Sequence, residues 1–348
     1  MTDVLIIGGG PIGLAAAIDA TLAGISATVI EPRTGPIDKA CGEGLMPGAL
    51  AALHRLGVDP DGHPITGIGY QKPGREAVHR FRGDPGRGVR RTRLHAALAE
   101  RATELGVEIR EGKISELRQA ETSVTATLTD GAELSADWLF GCDGLHSTVR
   151  ELVGLGIAAD IARAGRTRRF GIRRHFAIEP WSDLVEVHWA HDAEVYLTPV
   201  SEHELGIAVL GTQHTDFDTV VRSIPALAER LATAEPCSSL RGAGPFRQRT
   251  RARTRGRVML VGDASGYVDA ITGEGIRVGL AQAQAAIAAA LADAPAQYER
   301  DWNRVTRDFR MLTAGLVGIA ASPLRPAIVP LARALPGLYG SVVERLAR

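Results

Sequence analysis

Lysine is almost missing from this chain of 348 residues, occurring only as Lys39, Lys72 and Lys113. Arginine supplies the rest of a Lys+Arg total of 40, and an Asp+Glu total of 40 cancels it. With no net charge, nothing in the composition favours nucleic acid or an acidic partner. Cysteine is scarce too. Cys41, Cys142 and Cys237 lie far apart with no CxxC pair, which excludes a zinc ribbon and argues against a disulfide framework. A reducing, cytoplasmic setting is therefore expected. No basic-then-apolar leader precedes "VLIIGGG", so export is not expected. The apolar stretch "LTAGLVGIAAS", residues 312 to 322, is too short to span a bilayer. No G-x-S-x-G elbow or other Ser/His/Asp arrangement is present. His188 and His191 have HxxH spacing, but on a strand and turn their rings point apart, so no metal site is expected.

What the chain does have is an ordered opening. "VLII" (4 to 7) is a short, continuously apolar run, as a buried parallel strand requires. Gly8, Gly10 and Gly13 follow in G-x-G-x-x-G spacing around Pro11 and Ile12. "IGLAAAIDATLAG" is a good helix former stopped at Gly24, and "SATVIE" is a second strand ending on Glu31. In such a unit one glycine makes the tight turn, one lets the backbone approach a pyrophosphate, and one lets helix and strand pack closely. Glu31 is placed to accept from a ribose hydroxyl, with Arg33 just beyond it. The order of strand, glycines, helix, strand and acid marks a dinucleotide site. It does not choose between NAD and FAD.

Later stretches make that choice. "ADWLFGCDGLHSTVR" (136 to 150) is a strand entering a turn at Asp143 and Gly144. "GRVMLVGDASGYVDAITGEGIRVGL" (from 256) is an apolar strand running to Asp263, with Gly273, Gly275 and Ile276 opening an Ala-rich helix. "GVRRTRLHAALAERATELGVEIREG" (88 to 112) predicts a helix over 92–105 and a strand over 107–110. With G-x-G-x-x-G, the turn at Asp143-Gly144 and the turn at Gly262-Asp263 in this order, the chain resembles, over essentially its whole length, the flavoprotein monooxygenase superfamily with the p-hydroxybenzoate hydroxylase fold; the stretch 88 to 112 matches it too. The loop "CGEGL" and the stretch "ITGEGI" also resemble geranylgeranyl reductases. The resemblance implies FAD as cofactor, with Asp263 on the ribityl chain, Gly273 to Gly275 facing the isoalloxazine, and Asp143 linked to FAD and NAD(P)H. It makes Arg91 the arginine near the phosphate-ribityl region, and Arg93 a weaker candidate. Cys41, Gly42 and Gly44, in "KACGEGLMPGAL" (39 to 50), then form a wall of the flavin site where side chains would clash. Pro47 suits the first turn of the next helix.

Between residues 166 and 212 the pattern changes to alternation, which reads as antiparallel strands joined by ITGIGYQ (65 to 71). The expected fold is α/β: a Rossmann-type FAD-binding domain (1–64, 88–165, 256–295), an inserted antiparallel-sheet substrate domain (65–87, 166–255), and a C-terminal helical segment (296–348). Arg173, His175, Glu186, His188 and Tyr196 are candidate cavity residues. Direct catalytic side chains are not evident; Cys41, His188 and Tyr196 are the candidates. The alternating Arg249, Arg251, Arg253, Arg255 and Arg257 read either as a solvated edge or as contacts to cofactor phosphates.

The implied activity is an NAD(P)H-consuming monooxygenase that takes O2 and a small hydrophobic or aromatic substrate. The alternatives are reduction of a prenyl or other C=C bond and a non-redox cyclase. NAD(P)H is expected as a transient reductant, because no second GxGxxG occurs. A monomer or homodimer is expected, with no nucleic-acid partner. The proline-punctuated C-terminal pieces read as helices packed on the body, or as a surface that touches membrane or greasy substrate.

Overall fold

A computed structural model describes residues 2–157 and 168–348. The boundary expected between residues 165 and 166 lies outside the described residues.

The opening strand β1 (Thr2–Ile7) is buried along Val4 to Ile7 and pairs in parallel with β2 (Ala27–Glu31) and with the strand Glu133–Gly141. Strands Val258–Leu260 and Glu108–Glu111 extend this parallel core on its two sides. The first helix, α1 (Pro11–Leu22), has Pro11 in its first turn and is almost wholly buried. A Cβ on Gly13 would lie 1.8 Å from the Gly8 carbonyl oxygen, so this glycine serves close packing of helix on strand. The helix expected over 92–105 is Arg91–Glu104, and the strand expected over 107–110 is Glu108–Glu111.

The second sheet runs in the order Glu235–Pro236, Phe170–Ala177, Glu204–Gly211, Glu194–Ser201, Leu184–Trp189, Gly67–Lys72, Arg75–Arg80. Its strands are antiparallel, with one exception that alternation could not reveal: Gly67–Lys72 joins Leu184–Trp189 in parallel. A small third sheet ties Gly44–Leu45 and His63–Ile65 to Gly86–Gly88, so the loop around Cys41 is held between the two larger sheets.

The helix Gly275–Leu291 packs on α1 and on the long helix Pro295–Ala320. Residues Tyr298, Trp302, Thr306, Phe309 and Thr313 form the buried stripe of that long helix at helical spacing. Tyr298 donates to the Leu260 carbonyl at 2.7 Å, and Trp302 Nε1 donates to Ser265 Oγ at 2.8 Å. The helix thereby buttresses the turn that carries Asp263. Two more helices, Ile328–Ala334 and Pro336–Ala347, close over the edge strand Arg75–Arg80. Among the described residues no single helix is long and apolar enough to cross a membrane.

Three of the alternating arginines are cross-braces, while Arg249 and Arg251 are exposed. Arg253 lies 3.7 Å over the Trp302 ring and Arg257 lies 4.6 Å over Trp138, while Arg255 donates to the Val153 carbonyl at 2.5 Å. The long reach and planar head of arginine suit both uses.

Candidate functional site

One continuous cavity of about 620 Å³ runs between the parallel core, the second sheet and the C-terminal helices. Of the cofactor residues expected from sequence, all but Gly13 line it: Gly8, Gly10, Pro11, Ile12, Glu31, Arg33, Cys41, Gly42, Gly44, Arg91, Asp143, Gly144, Asp263, Gly273, Gly275 and Ile276. At its nucleotide end the Gly10 position is open, with nothing within 4 Å of a built Cβ. Gly8 is the opposite case. It has φ +107° and lies against Cys142 and Asp143, where a Cβ would come within 2.6 Å of the Cys142 carbonyl oxygen. Glu31 is buried and held by the Gly9 N–H at 2.8 Å and by Arg33 Nε at 2.7 Å. His95 Nε2 donates to the Gly9 carbonyl at 2.9 Å, so the helix starting at Arg91 fixes the glycine turn from below.

The residues present fit an FAD. Asp143 Oδ1 and Arg91 Nε are buried polar atoms with no hydrogen-bond partner among the described residues, and both residues face the cavity. Asp143 accepts at its other oxygen from the Val149 N–H at 3.0 Å, and burial holds its carboxyl above the ordinary range. Arg150 is buried and donates to the carbonyls of Leu145 and Ala264, which ties the turn at Asp143 to the turn at Asp263. The start of helix Gly275–Leu291 opens toward the same space, and a helix N-terminus favours negative charge there. Arg93 is instead engaged by Asp61 at 2.7 Å near the surface.

The loop around Cys41 is pinned from an unexpected direction. Glu43 is buried in the left-handed region at φ +61°. Its Oε1 accepts from the Arg91 N–H at 2.8 Å, and its Oε2 meets His175 Nε2 at 2.5 Å. Arg173 beside His175 pairs with Asp38, and Thr198 Oγ1 donates to the Gly42 carbonyl at 2.8 Å. The second sheet thus grips the loop at three points. Gly42 has nothing within 4 Å of a built Cβ, whereas a Cβ on Gly44 would sit 3.1 Å from Met46 Cε. Gly42 faces open space, and Gly44 faces protein.

The structure separates the candidate substrate-side residues. Arg173 and Tyr196 line the cavity, as does Cys41. Tyr196 donates its hydroxyl to the Ile271 carbonyl at 2.7 Å, and burial keeps the phenol neutral far above its ordinary range. The hydroxyl is therefore committed to holding the 270s loop. His188 does not line the cavity: strand alternation puts Val187 there and turns His188 to the other face, where it meets Glu186 at 3.1 Å. Glu186 also accepts from Trp181 Nε1. His191 is exposed beside Asp192, so the two histidines of the HxxH spacing have separate partners. Sequence reasoning missed Tyr70 and Tyr267, which line the cavity with hydroxyls that make no hydrogen bond to the described residues. The place of Tyr70 within the strand Gly67–Lys72 and of Tyr267 just after the Asp263 turn was the available signal.

Glu274 sits between the two glycines at the start of helix Gly275–Leu291. It is buried, with Arg277 Nε at 2.5 Å, and burial outweighs the arginine and pushes its carboxyl up to about 7. Because this lies above the ordinary 4.5, its contribution to stability is full below about pH 4.5 and is lost as pH rises through about 7. Thermal melts should weaken between about pH 5 and 8 by an amount equivalent to roughly 2–3 kcal/mol. Glu274→Gln should flatten that decline, and an identical decline in both proteins would place the pH sensitivity elsewhere.

This combination of a parallel nucleotide core, an inserted sheet and a cavity shared by both defines a flavoprotein of the hydroxylase fold. The chain belongs to the FAD binding domain family, which matches residues 1–296. Its relatives include a rifampicin monooxygenase of Streptomyces venezuelae, 34% identical over 47% of this chain and 36% of that protein. A menaquinone reductase of Mycobacterium tuberculosis is 27% identical over 80% of this chain and 74% of that protein. The chain therefore spans only about a third of the first of these relatives. A flavoprotein/dehydrogenase from Cytophaga hutchinsonii shares the fold at a TM-score of 0.78, with 17% identity over 99% of this chain and 98% of that one.

Proposed function

We propose that the protein is an FAD-dependent monooxygenase that uses NAD(P)H and O2 to oxygenate a small aromatic, polyketide or terpenoid metabolite. The observation that carries this reading is the single cavity in which the nucleotide cradle continues, without a break, into an apolar chamber under the C-terminal helices. Bound FAD would supply the electron transfer and oxygen chemistry. The chain's own residues do the rest. Gly10 and Arg91 take the pyrophosphate end, Asp263 the ribityl chain, and Gly42 and Gly273 leave room for the ring. A substrate seated in the chamber would exclude water from it, and Tyr70 and Tyr267 offer hydroxyls to orient a polar substrate group. On this reading residues 65–87 and 166–255 form the substrate domain, with 1–64, 88–165 and 256–295 holding FAD.

A second reading, reduction of a C=C bond, is favoured by Cys41 on the cavity wall, whose Sγ accepts from the Glu43 N–H at 3.4 Å. The similarity to a menaquinone reductase points the same way. Oxidation of NADH or NADPH by the yellow protein, with and without oxygen, separates the two. Oxygen uptake that requires an organic substrate supports oxygenation. Substrate-dependent NAD(P)H oxidation that persists without oxygen supports reduction. Arg91→Ala should weaken FAD affinity about tenfold, the loss of one charge-assisted bond, while leaving the melting profile of the apoprotein unchanged. Unaltered FAD affinity would remove Arg91 from the cofactor site.

A further inference from the structure

The cavity's two ends differ in chemistry. Its charged lining residues, such as Glu31, Arg91, Asp143, Arg173 and Asp263, belong to the nucleotide core or the second sheet. The lining contributed by the C-terminal helices is apolar apart from the Tyr339 hydroxyl, which donates to the Ile68 carbonyl. Leu312, Leu316, Ile328, Val343 and Leu346 form the inner part of this end. Tyr70 marks the junction, with its ring 4.9 Å from Tyr339 and 5.4 Å from Trp189.

Farther out, residues that line the cavity are also exposed to solvent: Ile319 at 42%, Leu331 at 55%, Leu335 at 50% and Leu338 at 62%. A residue that is both lining and exposed marks a mouth. A rim of half-exposed leucines is costly to leave in water, and it leads inward to a wall with no charge to hold a polar molecule. A compact polar metabolite would use only the inner end, beside the unpartnered Tyr70 and Tyr267 hydroxyls.

We propose that the substrate is an amphiphile: a polar aromatic head lies against the flavin beside Tyr70 and Tyr267, and a long alkyl or prenyl chain runs between the second sheet and the C-terminal helices to the leucine mouth. This rests on the flavoenzyme reading above and names its substrate class. The head needs hydrogen bonding at one end only, which the two tyrosines provide. The chain needs apolar wall and an exit that tolerates variable length, which the leucine rim provides.

The test is binding of a para-alkylphenol series, from cresol to dodecylphenol, to the FAD-loaded protein, read from the perturbation of the flavin absorbance. Affinity should rise about fourfold per buried methylene until the chain reaches the mouth, and then level off. In a Leu331→Gln, Leu338→Gln double variant the rise should stop at shorter chains. An affinity that is flat across the series in the unaltered protein overturns the proposal. So does a rise that the double variant leaves untouched, because the chain would then lie elsewhere. The reaction assignment fails separately: a chain-length rise without any oxygenated product keeps the amphiphile site and rejects the monooxygenase, while oxygenation of cresol with a flat series does the reverse.

Discussion

Glu194→Ala should cost about 3–5 kcal/mol of stability, lowering the melting temperature by on the order of 5–10 °C. Glu194 has no solvent exposure and accepts from two arginines, Arg169 at 2.5 Å and Arg325 at 2.5 Å. Arg169 also meets Asp269 at 2.9 Å, so one buried network joins the second sheet, the 270s loop and the turn between the C-terminal helices. Removing the shared carboxylate leaves Arg325, among the described residues, with the carbonyls of Ala190, Ala193 and Ala320 and the face of Trp189, but no carboxylate. An unpaired buried charge is the expensive outcome, far more so than loss of a surface pair. The turn at 321–327 should also become the first site of limited proteolysis, since Arg325 is its tether to the sheet. A variant that melts within a degree or so of the parent would show that the C-terminal helices are held by packing alone.

Gly42→Leu should abolish most FAD binding, by on the order of a hundredfold, yet leave a folded apoprotein. The two halves of that expectation come from one fact: Gly42 lines the cavity and nothing lies within 4 Å of a built Cβ there, so a side chain can start without displacing protein atoms and takes space from the cavity. The loop cannot move aside easily, because Glu43 is tied to Arg91 and His175 and the Gly42 carbonyl to Thr198. Purified variant that is colourless but melts cooperatively is the expected result. Yellow protein with parental FAD affinity would mean that this loop is not a wall of the flavin site.

Much of the cavity's lining could be read from the chain because its elements are local. The turn from β1 into α1, the acid ending β2 and the glycines opening helix Gly275–Leu291 each carry their reason within a few residues. Gly13 shows how finely this works, since its close contact with Gly8 is fixed by the pitch of one helix. What escaped depends on partners remote in sequence. Glu43 reads as a polar residue in a glycine loop until His175 arrives from the second sheet. His175 and Arg173 then prove to be clamps on that loop, and His188 faces away because register, not residue type, decides a strand's two faces. The C-terminal helices could be predicted as helices, packed on the body or touching greasy substrate, but not placed along the cavity. Their leucines are indistinguishable in sequence from ordinary packing residues, and only the fold shows them exposed at a mouth.

The most direct test is the product formed by the FAD-loaded protein from a phenol with a para prenyl chain, which carries C=C bonds, and NAD(P)H under isotopically labelled O2, read by mass. Oxygenation predicts a product heavier by one labelled oxygen atom, and no product when oxygen is withheld. A product heavier by two hydrogens and formed without oxygen would contradict the account in favour of C=C reduction, and an isomer of unchanged mass would contradict any redox role.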